Sequence, residues 1–194
     1  MISRSKRICA LFFCLLWLPA GSVQAGMFDC LIFQPSDHVP ITPDKFNLKY
    51  EVLRLKSASD PLLNAWHTPA EGDLTVLLFS GNAGNIAVMM DRIVTYHIGG
   101  FSTLAVDYPG FGSSEGRPSE AGCYEAAEAA WHFLTVEKKI PPEKIVIHGF
   151  SLGGGSAAYL AAKYQPKALI LDSTFTRLSA VPSARQPNMK RAFE

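Results

Sequence analysis

The chain has 194 residues, 48% of them hydrophobic and 18% charged, with a formal net charge of +1. That is long enough for one buried core, and the charge is too evenly balanced for a nucleic-acid-binding surface. No low-complexity tract or internal repeat interrupts it, so a single domain without a linker is expected.

Residues 1–25 read as a targeting segment rather than as part of the fold. Arg4, Lys6 and Arg7 form a basic start, residues 8–18 are an unbroken apolar run, and Pro19, Ala20 and Gly21 end it. Val23-Gln24-Ala25 then offers small residues where a signal peptidase reads, which predicts cleavage after Ala25 and export. The alternative is an uncleaved anchor at residues 8–20 that holds the chain to a membrane, although the run falls short of the ~20 residues of a full span. In a mature chain only Cys30 and Cys123 remain. A disulfide between them and two unpaired thiols are both open.

Residues 26–176 carry the folded domain. Residues 48–56 alternate apolar and polar, as in a strand with one solvated face, and residues 62–67 form a partner across a turn-rich connection. Residues 74–79 are nearly all apolar, which suits a parallel strand covered on both faces. A helix over residues 84–98 is stopped by Gly99-Gly100, and residues 101–106 form the next buried strand. Ser119 and Gly122 open an alanine-rich helix that runs to Val136. After Pro141-Pro142 come a strand at 144–148, a helix at 152–164 and a strand at 167–171. Four strand-helix alternations after an antiparallel opening specify an α/β fold with a mostly parallel sheet and right-handed crossovers.

The chemistry centres on Gly149-Phe150-Ser151-Leu152-Gly153, between an apolar strand and a small-residue helix. This is the setting of a nucleophile elbow, where glycines two residues either side of the serine permit a strained turn. Attack by Ser151 on a carbonyl creates an oxyanion, and the backbone N–H of Leu152 is one donor for it. Gly153-Gly154-Gly155 is not followed by Lys-Ser/Thr, so it is no phosphate loop, and close packing of helix on sheet accounts for the glycines. Asp107 reads as a structural carboxylate in a turn. His148 reads as a packed core residue, and His97 and His132 as surface or boundary residues on helices. Asp172, the only aspartate after Ser151, ends a strand and is a minor candidate for a catalytic acid. No metal-ligand spacing occurs, and no cofactor is expected.

Three motifs in order give the chain a resemblance to the α/β-hydrolase superfamily over residues 48–176. Ser80-Gly81-Asn82-Ala83-Gly84-Asn85 is similar to the oxyanion segment of the membrane-associated branch that includes the fungal bud-emergence proteins, with serine where histidine is usual. Asp107-Tyr108-Pro109-Gly110-Phe111-Gly112-Ser113-Ser114-Glu115-Gly116 resembles a second motif of that branch, with proline where arginine is usual. The elbow is the third, and Leu171-Asp172-Ser173-Thr174-Phe175-Thr176 resembles the end of the next strand. The resemblance implies a serine hydrolase that takes a small-molecule ester, thioester or amide, with Asn82 supplying the second oxyanion donor from its backbone.

The same resemblance implies the chain order serine, acid, histidine. All five histidines (His38, His67, His97, His132, His148) precede Ser151, and residues 177–194 form an irregular tail with two prolines and four basic residues. The expectation is therefore an exported hydrolase cut short before its acid and histidine, poorly active or inactive. A non-catalytic remnant or binding module of the same fold is the alternative.

Overall fold

A computed structural model describes residues 32–176. Residues 1–25, for which a targeting role is expected, Cys30 and residues 177–194 lie outside the described residues. The strands are β1 (Gln34–Pro35), β2 (Glu51–Lys56), β3 (Leu62–Thr68), β4 (Thr75–Phe79), β5 (Ala83–Gly84), β6 (Ser102–Val106), β7 (Ile145–Phe150) and β8 (Ala168–Asp172). The helices are α1 (Met90–Ile98), α2 (Glu120–His132) and α3 (Gly153–Tyr164).

Six strands make one sheet in the order β2-β3-β6-β4-β7-β8. β2 and β3 form the expected antiparallel hairpin, with Lys56 opposite Leu62, and β3 is antiparallel to β6. β6, β4, β7 and β8 run parallel, because a helix or long loop separates each from the next in the chain. This is the α/β architecture the alternation specifies. Odd and even positions of the central strands feed two cores, since successive side chains leave opposite faces. Leu77, Phe79, Leu104 and Val106 pack with Ala126, Ala130, Ala157 and Leu160 of α2 and α3. Val76, Leu78 and Ala105 pack on the other face with Met90 and Ile93 of α1 and with Ile86 and Met89 just before it.

Two boundaries differ from the sequence expectation for local reasons. The helix expected from residue 84 begins as a 3-10 turn at Ile86–Met89 and becomes α-helical only at Met90. Gly84 instead pairs with Pro35 in the two-residue ladder of β1 and β5, and Asn85 is extended, its side chain accepting the N–H of Ala87 at 3.0 Å. Asn85 is thus an N-cap, which by its nature sits outside the helix. At the other end, α2 does not run unbroken to Val136, because Phe133–Glu137 widens into a π turn.

Candidate active site

Ser151 stands at the junction of β7 and α3 with φ at +51°, in the left-handed region. For a residue with a side chain that conformation costs about 1–2 kcal/mol. It persists because the surrounding backbone fixes it. The Ser151 N–H donates to the Asp172 carbonyl at 2.9 Å, while the Gly154 N–H and Thr174 Oγ1 donate to the Ser151 carbonyl at 3.1 and 2.7 Å. The flanking glycines are steric necessities. A Cβ at Gly149 would come within 2.4 Å of the Gly153 carbonyl oxygen, and one at Gly153 within 2.3 Å of the Phe79 carbonyl oxygen.

Leu152 immediately precedes α3, so its N–H belongs to the set a helix leaves without an intrahelical partner, at the positive end of the helix dipole. Opposite it runs the segment after β4. A Cβ built on Gly81 would lie 3.5 Å from the Cβ of Ser151, so this loop is in contact with the elbow. Asn82 is anchored from both sides by the arm that holds β1. Its Nδ2 donates to the Ile32 carbonyl, and its carbonyl accepts the Gln34 N–H, both at 2.7 Å. These bonds use the side chain and carbonyl of Asn82 and not its N–H.

The rest of the loop is fixed as firmly. Asn85 Nδ2 donates to the Ser36 and His38 carbonyls at 3.0 and 2.9 Å. Tyr108 donates its hydroxyl to the Ser80 carbonyl at 3.1 Å. Ser80 itself is buried, and among the described residues its Oγ has no hydrogen-bond partner. The loop is thus held by the side chains of Asn82, Asn85 and Tyr108, and the Ser80 hydroxyl takes no part.

Asp107 has a larger part than a turn carboxylate. It is buried, accepts the Ile86 N–H at 2.7 Å and Asn64 Nδ2 at 2.8 Å, and so ties the end of the loop to β3. Burial pushes its carboxyl up to about 6, although both hydrogen bonds favour the charged form.

On the α1 side a polar cluster lies beneath the elbow. His148 is buried on β7, with Nδ1 2.8 Å from the Tyr96 hydroxyl and Nε2 3.7 Å from Asp172 Oδ2. Burial, and then the nearby Arg92, holds the imidazole below its ordinary value, so it is neutral at pH 7. Asp172 is ion-paired with Arg92, whose Nε lies 3.1 Å away, and it accepts Ser173 Oγ at 2.9 Å. The Arg92 guanidinium sits 4.2 Å from the centre of the Phe150 ring. Asp172 and His148 therefore brace the strand ends. Nδ1 of His148 is taken by Tyr96, and none of the five histidines hydrogen-bonds Ser151.

The three consecutive glycines of α3 divide on inspection. Helix-on-sheet packing explains Gly153, and Thr174 fills the place of a side chain at Gly154, 1.9 Å from where a Cβ would stand. At Gly155 a Cβ would meet nothing within 4 Å. The packing expectation is corrected there: Gly155 faces open space.

A family model described as the alpha/beta hydrolase fold matches residues 75–193. The alpha/beta hydrolase domain-containing protein WAV2 of Arabidopsis thaliana is 37% identical over 188 residues, covering 88% of this chain and 61% of that protein. Protein bem46 of Schizosaccharomyces pombe is 34% identical over 149 residues, covering 73% of this chain and 50% of that protein. The chain thus spans about half to three-fifths of the length of these relatives. Among solved structures, an alpha-beta hydrolase from Vibrio vulnificus shares the fold with a TM-score of 0.72 at 22% identity, covering 91% of this chain and 70% of that one. A Pyrococcus furiosus esterase does so with a TM-score of 0.65 at 18% identity, covering 83% and 70%.

Proposed function

The chain belongs to the alpha/beta hydrolase fold family, and from that premise we propose that it carries the nucleophile and oxyanion donors of an exported serine hydrolase. The observation that carries this reading is the left-handed Ser151 at the strand-to-helix turn, with the Gly81-Asn82 loop against it. Strained non-glycine residues held this firmly gather where chemistry is done.

In the proposed reaction Ser151 Oγ attacks the carbonyl carbon of an ester, thioester or amide while its proton passes to a base. The oxyanion receives hydrogen bonds from the N–H groups of Leu152 and Asn82, and removing one such donor typically costs about a hundredfold or more. The intermediate collapses with loss of the alcohol, thiol or amine, leaving acyl-Ser151, and water then releases the acid and restores the hydroxyl. The base is not one of the histidines of residues 1–194. Asp172, engaged by Arg92, has a structural role in this reading and not that of the acid.

The test is labelling of the full chain by a fluorophosphonate. Covalent capture at Ser151, lost in Ser151→Ala, supports a competent nucleophile. A folded chain that takes no label supports the second reading, a non-catalytic module of the same fold, which the lack of a hydrogen bond between any of the five histidines and Ser151 favours. For export, the expected outcome is an N-terminus after Ala25 on the mature protein. An intact residue 1 on membrane-bound material would favour the anchor. Among the described residues no helix is long and apolar enough to cross a membrane.

A further inference from the structure

Phe150 precedes Ser151 on β7 and is the register partner of Asp172 on β8, so the two side chains leave the same face of the sheet, toward α1. Phe150 is only part buried against the core, and Arg92 of α1 adds to its cover, with the guanidinium carbon over the ring and 4.2 Å from its centre. Two carboxylates hold the guanidinium there. Nη1 donates to both oxygens of Asp91 at 3.2 Å, and Nε donates to Asp172 Oδ2 at 3.1 Å. A planar fork fixed in this way cannot turn from the ring, and a lysine ammonium offers no such fork. The ring in turn meets the oxyanion loop. A Cβ built on Gly81 would lie 3.5 and 3.6 Å from Cδ1 and Cε1 of Phe150, and 3.5 Å from the Cβ of Ser151. Hydrogen bonds hold that loop at Ser80 and at Asn82. At Gly81, between them, the contact is the Phe150 ring. The peptide joining Gly81 to Asn82 carries the N–H proposed as the second oxyanion donor.

Resting on the nucleophile reading of Ser151, we propose that Arg92 is a positioning residue for the reaction: through the Phe150 ring it fixes the spacing between Ser151 Oγ and the Asn82 N–H. One ring governs both positions, the nucleophile because it is the next residue in the chain and the donor peptide because Gly81 rests against it. That spacing matters because a displacement of about 1 Å can cost about a hundredfold in rate. A brace between α1 and the sheet edge needs only the pair of Arg92 with Asp172. Asp91 lies in α1 itself, so its bonds to Arg92 tie no two elements together. What they add is a fixed direction for the guanidinium over Phe150.

The experiment measures the rate of fluorophosphonate labelling of the full chain, with melting curves, in Arg92→Ala, Arg92→Lys, Phe150→Leu, Phe150→Tyr and the double variant Arg92→Ala/Phe150→Leu. Arg92→Ala and Phe150→Leu should each slow labelling by about tenfold or more, with the loss in the bond-forming step and not in the initial binding of the probe. Phe150→Tyr keeps the ring and should label within a few-fold of wild type. Arg92→Lys keeps the charge without the fork; it should fall between wild type and Arg92→Ala, and it decides the matter if Arg92→Ala does not fold. The double variant should lose no more than the worse single one, because both act through one contact. Full labelling of a folded Arg92 variant, or losses that simply add, overturns the proposal. A second measurement does not depend on labelling: in Arg92→Lys the amide resonances of Gly81 and Asn82 should move from their wild-type positions, and unmoved resonances also overturn it. A wild type that takes no label, with those resonances still moved by Arg92→Lys, removes the nucleophile reading and leaves the link from Arg92 to the loop standing. Labelling of Ser151 that is indifferent to residue 92 does the reverse.

Discussion

β4 and β8 are both five-residue parallel strands beside β7, Thr-Val-Leu-Leu-Phe in one and Ala-Leu-Ile-Leu-Asp in the other. Their apolar content is nearly the same, and their surroundings are not. β4 pairs on both sides and every residue is buried. Among the described residues β8 pairs only with β7, and Leu169, Ile170 and Leu171 are 38%, 38% and 49% exposed. Apolar composition records that a strand is suited to cover, while neighbours on both edges and faces decide whether it has it. Ser151 draws on both strands, contacting the Gly81-Asn82 loop that follows β4 and taking its backbone clamp from β8.

The difference is sharpest in one pair of substitutions. Leu77→Ala on β4 should cost about 4 kcal/mol, since the side chain is fully buried and its cavity cannot collapse. Leu171→Ala on β8 should cost less than about 1 kcal/mol, because half of that side chain already meets water. Urea midpoints at constant m-value measure both. Equal costs would mean that β8 is covered in solution as β4 is, and the comparison would break.

Next in size is Gly153→Ala, with an expected loss of about 3 kcal/mol. The new Cβ would stand 2.3 Å from the carbonyl oxygen and 2.6 Å from the carbonyl carbon of Phe79, and the backbone of a central strand cannot move aside. A loss below about 1 kcal/mol would show that β4 yields more easily than its burial implies.

Asp107 tests the β4 side by pH. The folded chain holds its proton more tightly than the unfolded one, from 3.8 up to about 6. Between those values the folded state binds more protons, so its contribution is fully present below about pH 4 and is lost as pH rises through about 6. The change is on the order of 3 kcal/mol. Asp107→Asn should remove this pH dependence, so that the gap in stability between wild type and variant changes between pH 4 and 7. A constant gap would mean that the carboxyl is not buried as described.

Much of this was legible in the residues. Apolar runs marked the central strands, and the spacing of Ser119 and Gly122 marked a cap: Ser119 Oγ accepts the Gly122 N–H at 3.0 Å. The elbow announced itself because its glycines answer a local steric need. Features that depend on distant partners were hidden. The two-residue ladder of Gln34 and Pro35 with Ala83 and Gly84 is too short for any periodicity. The bond from Ile86 to Asp107 joins residues 21 apart, and Thr174 reaches Gly154 only after a strand has intervened. Asn85 carries a readable signal, since asparagine before an apolar run is a common helix start. The exposure of β8 could not be read from its composition at all.

The smallest expected effect lies on the β8 side and separates structure from catalysis. Arg92 holds the Asp172 carboxyl below its ordinary 3.8. Its contribution is therefore present above about pH 4 and lost as pH falls through the folded value. The two side chains are 21% and 32% exposed, so water and salt screen the pair, and Asp172→Asn should cost less than about 1 kcal/mol. That small loss should shrink at about 1 M salt, because a solvent-exposed ion pair weakens as ionic strength rises. The bond from the Ser151 N–H runs to the backbone carbonyl of residue 172 and survives the substitution. Fluorophosphonate labelling of Ser151 should then stay within a few-fold of wild type. Were Asp172 the acid that orients a catalytic base, the same amide would lower reactivity by about ten-thousandfold, and the ion pair with Arg92 would have to be reread as a catalytic charge instead of a brace between α1 and the sheet edge.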